Sequence, residues 1–99
     1  MEIQASPAAV QHVERHGGRP YVWLDDFGGV AIMKAAVEDP GGGRVFEETS
    51  AARLRVLLER GEEFPARARL SLRRWPRRRL DIVADTGLRP SAVDFLPTP

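Results

Sequence analysis

The stretch Arg73-Arg74-Trp75-Pro76-Arg77-Arg78-Arg79 sets five guanidinium groups around one indole. Guanidinium forks pair bidentately with phosphate oxygens, and a Trp face stacks on a nucleobase or on another guanidinium. Arg73, Arg74, Trp75, Arg77, Arg78 and Arg79 therefore read as an anion or nucleic-acid site. The plainer reading is a solvated junction between strands, with Trp75 packed on the core edge and its Arg content set by base composition. A nucleic-acid footprint is ordinarily a broad basic face and not one heptapeptide.

His12 and His16 are four residues apart. On a helix they share a face, a spacing that suits two zinc or nickel ligands if a distant Asp or Glu supplies a third. The alternative is two surface residues, with His16 well placed near a helix C-terminus. Asp25-Asp26 pairs two carboxylates that could bind a cation or work as acid and base. Asp is equally a turn residue, because its side chain bonds nearby backbone N–H groups. Gly41-Gly42-Gly43-Arg44 offers a loop for a phosphate but lacks the Lys-Ser/Thr of a P-loop. Ser50, Ser71 and Ser91 have no recognisable nucleophile context. The pattern predicts no enzyme and no cofactor.

The bulk properties narrow the classes. Ninety-nine residues make one domain with a single modest core. Fifteen basic residues against 14 acidic ones leave a formal net charge of +1, which argues against a strong global field for nucleic acid or membrane. Fourteen of the basic residues are Arg and only Lys34 is Lys, so Arg content alone is discounted. With no Cys there is no disulfide, thiolate zinc site, Cys nucleophile or self-contained Cys-ligated cluster. No apolar run approaches the ~20 residues that cross a bilayer, and the first residues lack a signal-peptide pattern. A cytoplasmic protein is expected.

The elements follow from punctuation and period. Residues 2–5 suit a first strand. Ser6-Pro7 opens a helix near 7–16, with Ala9, Val10 and Val13 as its apolar stripe and Gly17-Gly18 as its stop. Pro20 to Leu24 and Val30 to Glu38 read as two strands joined by a turn over Asp25–Gly29, a hairpin. Asp39 to Gly43 is a loop. Ser50 to Arg60 supports either a capped helix or a strand with Leu54, Val56 and Leu58 inward. Ala68, Leu70 and Leu72 alternate with Arg67, Arg69, Ser71 and Arg73, and Leu80, Ile82 and Ala84 alternate again, giving two further strands.

Several of these features occur in an order that resembles the HesB-like family of A-type iron–sulfur carriers. The opening Ile3-Gln4-Ala5-Ser6-Pro7-Ala8-Ala9 is similar to that family's I-x-x-T/S-x-x-A start. Phe27-Gly28-Gly29 is similar to its Gly-Gly pair, and Val45-Phe46-Glu47-Glu48, the Leu54–Leu58 run, Gly61 and the Ala68–Ile82 strands continue the likeness over roughly residues 2–85. The departure is at the ligands. Val30 stands where the family's first Cys is expected, and Asp85-Thr86-Gly87-Leu88 lies near the place of its C-terminal Cys pair. The resemblance thus implies a scaffold without cluster chemistry, and it makes residues 53–59 a strand.

The expected molecule is an α+β domain over residues 1–88, a mostly antiparallel sheet with one N-terminal helix on a face. An irregular Pro-rich tail over 89–99 follows, in which Val93-Asp94-Phe95-Leu96-Pro97 is apolar enough to cover a sheet edge or bind a partner. Trp23, Leu24, Ile32, Leu54, Val56, Leu58, Leu70, Leu72, Leu80 and Ile82 are the expected core. A non-enzymatic interaction protein, with a protein partner or a second copy, is the first functional expectation. The second is a nucleic-acid or anion-binding module using Arg73 to Arg79, and the third a metal site at His12 and His16. No membrane partner is expected.

Overall fold

The computed structural model describes residues 1–51 and 54–85. The expected tail over 89–99, with Ser91 and the Val93–Pro97 segment, lies outside the described residues. Eight elements follow in the described chain: β1 (Glu2–Ala5), α1 (Pro7–Arg15), β2 (Tyr21–Phe27), β3 (Val30–Ala36), β4 (Phe46–Ala51), β5 (Leu54–Glu59), β6 (Arg67–Arg73) and β7 (Arg79–Ala84).

The helix begins and ends where its residues require. Ser6 is extended, and its Oγ accepts from the Ala9 N–H at 3.2 Å, while Pro7 takes the first helical position. At the other end Gly17 and Gly18 both have positive φ, and the Gly18 N–H closes the last turn on the Val13 carbonyl at 2.8 Å. Ala9 and Val13 face the core, and α1 packs on β6.

The β2–β3 hairpin is tighter than expected. Asp25, Asp26 and Phe27 belong to β2, opposite Ile32, Ala31 and Val30, so the turn is Gly28-Gly29 alone. Two glycines at φ 57° and 87° form the two-residue loop whose twist matches the flanking strands. Residues 54–59 are a strand, as the family resemblance implied and against their helical propensity. β5 is central, bonded to β2 in parallel and to β4 in antiparallel. Two ladders of bonds outweigh a propensity difference of well under ~1 kcal/mol per residue. β4 had no sequence signal of its own, because Glu47, Glu48, Thr49 and Ser50 make it a polar edge strand.

An α+β class with one helix holds, and three of the five strand pairs are antiparallel, but the single sheet does not hold. There are two mixed sheets, ordered β1-β6-β7 and β3-β2-β5-β4. Each holds one parallel pair, β1 with β6 and β2 with β5, made possible by the long crossovers that carry the chain back. β3 runs close beside β7, which brings the sheets together on that side. One buried cluster joins the two sheets and the helix: Ile3, Ala9, Val13, Val22, Ala51, Val56, Ala68, Leu70, Leu80 and Ile82. Trp23, Val56, Leu70, Leu80 and Ile82 of the expected core are buried; Leu24, Leu54, Leu58 and Leu72 are partly buried; Ile32 is 40% exposed, near the hairpin tip. The small residues Ala9, Ala51 and Ala68 escaped the sequence reading because Ala is found on either side of a surface.

Candidate anion-binding site

The basic heptapeptide forms the end of one hairpin. β6 delivers Arg73 at its last position, residues 74–78 turn the chain, and β7 begins at Arg79 directly opposite Arg73. The alternation that buries Ala68 and Leu70 in β6, and Leu80 and Ile82 in β7, turns the polar positions of both strands outward. The five-residue turn then projects Arg74, Trp75, Arg77 and Arg78 into solvent. Trp75 is 83% exposed. The expectation of a Trp packed on the core edge is thereby corrected: the Trp75–Pro76 end of the turn lies beyond the reach of the core.

Helix α1 brings a further cation, Arg15, to the same place. Its outer face carries His12 and Arg15, which line one cleft with Arg74 and Arg78 of the turn. Gln11 completes the polar lining, and Ala8 and Leu72 complete the apolar part. The cleft measures about 170 Å³. Two segments read separately in the sequence thus converge, although some sixty residues separate them.

The pairing of Arg residues separates this face from the rest of the molecule. Arg19 and Arg55 both bind Glu48, the first at 2.6 Å. Arg44 binds Asp25 at 2.5 Å, and Arg67, Arg69 and Arg73 stand within 4.0 Å of Glu2, Asp85 and Asp81. Among the described residues Arg15, Arg60, Arg74, Arg77, Arg78 and Arg79 have no carboxylate partner. All but Arg60 belong to α1, to the β6–β7 turn or, for Arg79, to the first position of β7. Arg supplied by base composition alone would be spread over the surface without regard to carboxylates.

The same guanidinium groups act on His12. Burial pushes its pKa below the ordinary His value, and the neighbouring His16, Arg78 and Arg15 lower it further. The permanent charges that act on it are the Arg78 and Arg15 guanidinium groups, which favour an anion there over a metal ion. His12 and His16 do share a face, with ring centroids 4.5 Å apart. His16 Nδ1 lies 2.8 Å from the His12 carbonyl, to which it donates when protonated. Among the described residues no group of three or more His, Asp or Glu is placed to hold a metal.

The other candidates are occupied by structural work. Asp26 Oδ1 accepts from the Gly29 N–H at 2.9 Å, which is the turn role. Asp25 is held by Arg44 and, at 3.4 Å, by Lys34. Arg44 also contacts Glu59 at 3.5 Å and lies over the Trp23 ring, so it is not free to meet a phosphate at the Gly41–Gly43 loop. Glu59 in turn accepts from the Leu24 N–H at 3.2 Å, tying β5 to β2. Ser50 and Ser71 are exposed in β4 and β6, with no hydrogen bond to a histidine among the described residues. A larger groove of about 1210 Å³ follows β1, α1 and the β4–β5 pair. Its charged residues, Arg19 and Arg55 against Glu14 and Glu48, balance in number; Glu48 binds both Arg side chains, and these hold its carboxyl below the usual carboxylate range, the Arg55 hydrogen bond first.

No helix among the described residues is long and apolar enough to cross a membrane. No protein-family model, curated protein or solved structure matches the chain.

Proposed function

We propose that this chain is a non-enzymatic binding module whose ligand is a single-stranded nucleic acid, held on the face made by the β6–β7 turn and the outer side of α1. One observation carries the reading: five of the six carboxylate-free Arg residues among those described converge on that face, beside a Trp that is 83% exposed. A solvated junction needs none of this. An exposed Trp brings no core packing, and unpaired guanidinium groups repel one another unless an anion arrives. Phosphates supply that anion, and a base supplies a face for Trp75.

Fluorescence anisotropy with a labelled single-stranded oligonucleotide tests it. Trp75→Ala is expected to weaken binding by about 1–3 kcal/mol, the range for one lost stacking contact. Because Trp75 touches little of the fold, its stability should stay within about 0.5 kcal/mol of wild type. Wild-type affinity no greater than that of a variant with Arg74, Arg77 and Arg78 changed to Ser would refute the reading.

We propose the HesB-like family as the ancestry of this scaffold. Its support is the succession of strand, capped helix, Gly-Gly hairpin and later strands, with residues 54–59 extended. On that ancestry the scaffold has lost cluster chemistry and acts in the cytoplasm by contact alone. Reconstitution with iron and sulfide should leave no stoichiometric cluster on the chain; a retained cluster would contradict it.

A further inference from the structure

A flat basic face would suffice to hold the backbone of a strand, yet this face is dented. The cleft between α1 and the β6–β7 turn has Gln11, His12 and Arg15 on one side and Arg74 and Arg78 on the other. At about 170 Å³ it falls below the ~300–1,000 Å³ of clefts that enclose drug-sized ligands. It is a place for a headgroup and not for a whole nucleotide. No carboxylate lines it, so three permanent cations face one concave point.

Phosphate chemistry distinguishes what such a point accepts. An internal phosphodiester carries one negative charge and two free oxygens, and sugars flank it on both sides. A terminal phosphomonoester carries about −1.5 to −2 charges at pH 7 and three free oxygens, and it projects as an end. Guanidinium groups arriving from two elements can each meet a separate oxygen of such an end. We propose that the cleft is a terminal-phosphate site, in which Arg15, Arg74 and Arg78 hold the phosphomonoester at the end of a nucleic-acid strand. Trp75, next in the chain to Arg74, is then left outside the cleft to stack on a base near that end. His12 and Gln11 add hydrogen-bonding groups at the wall. The inference rests on the nucleic-acid reading above and narrows it from backbones in general to strand ends.

One oligonucleotide sequence in three forms tests it: with a 5′-phosphate, with a 3′-phosphate, and with hydroxyls at both ends. At fixed salt, one phosphorylated form should bind about tenfold tighter than the hydroxyl form, the effect of at least one additional charge-assisted contact. Arg15→Gln and Arg78→Gln should each shrink that preference, and Arg60→Gln, outside the cleft, should preserve it. Circular dichroism checks that these exposed substitutions leave the fold intact. Equal affinity for all three forms would overturn the terminal-phosphate site while leaving the nucleic-acid reading standing. A preference that survives the Arg15 and Arg78 changes would place the end elsewhere and overturn it too. Absence of binding to every form would sink both.

Discussion

Arg73 and Arg79 face each other across the last rung of the β6–β7 pair. Like charges directly opposite on a sheet are destabilising by a few tenths to about 1 kcal/mol. Asp81, 3.9 Å from Arg73, offsets only part of that repulsion. A fold selected for stability alone would not keep the pair. Arg79→Thr is therefore expected to raise unfolding free energy by about 0.2–1 kcal/mol in urea titrations, while weakening oligonucleotide binding. A loss of stability would show instead that Arg79 serves the fold. His12 gives a second residue-scale test. Its folded pKa lies below its unfolded value, so the unfolded chain binds more protons in the acid range. Stability should fall as pH drops below about 6.5, and His12→Gln should remove that part of the slope. At this scale the sequence was informative about identity and silent about availability. The Arg run and Trp75 were visible in it. The occupation of Arg44 by Asp25 and Glu59, and the freedom of Arg74, depend on residues far away in the chain.

Strands with one buried face were legible because their period is two. β6 shows this best, with Ala68 and Leu70 buried between exposed Arg67, Arg69 and Ser71. Leu70 is 1% exposed, and Leu70→Ala should cost about 2–5 kcal/mol in chemical denaturation. A cost under about 1 kcal/mol would contradict the placement of β6 at the centre of the core. The helix was equally legible, through Ser6, Pro7 and the Gly17-Gly18 stop. β5 and β4 were not. β5 is a strand because β2 and β4 flank it, and neither partner is written in the local sequence. The division into two sheets has the same origin: parallel pairing of β1 with β6 joins residues more than sixty apart. The convergence of α1 with the β6–β7 turn is a consequence of that pairing, since β6 both supports the helix and ends in the turn.

The whole chain is nearly neutral, yet its charge is not evenly disposed. Carboxylates pair with Arg19, Arg44, Arg55, Arg67, Arg69 and Arg73, leaving an uncompensated cluster at one end. A net charge of +1 was read from composition as arguing against a nucleic-acid field; segregation answers that objection, because binding senses the local potential. Four to five phosphate contacts on a single strand should give a slope of about −3 for log K against log salt, at ~0.7 per contact. A slope near zero would indicate that binding is not electrostatic. The most direct measurement of where the chain works is an amide NMR titration with a single-stranded oligonucleotide at low salt. The perturbed resonances should fall in α1 around His12 to His16 and in residues 72–80. Perturbations centred instead on the β2–β3 hairpin tip or on the β4–β5 pair, with residues 72–80 unmoved, would contradict that placement.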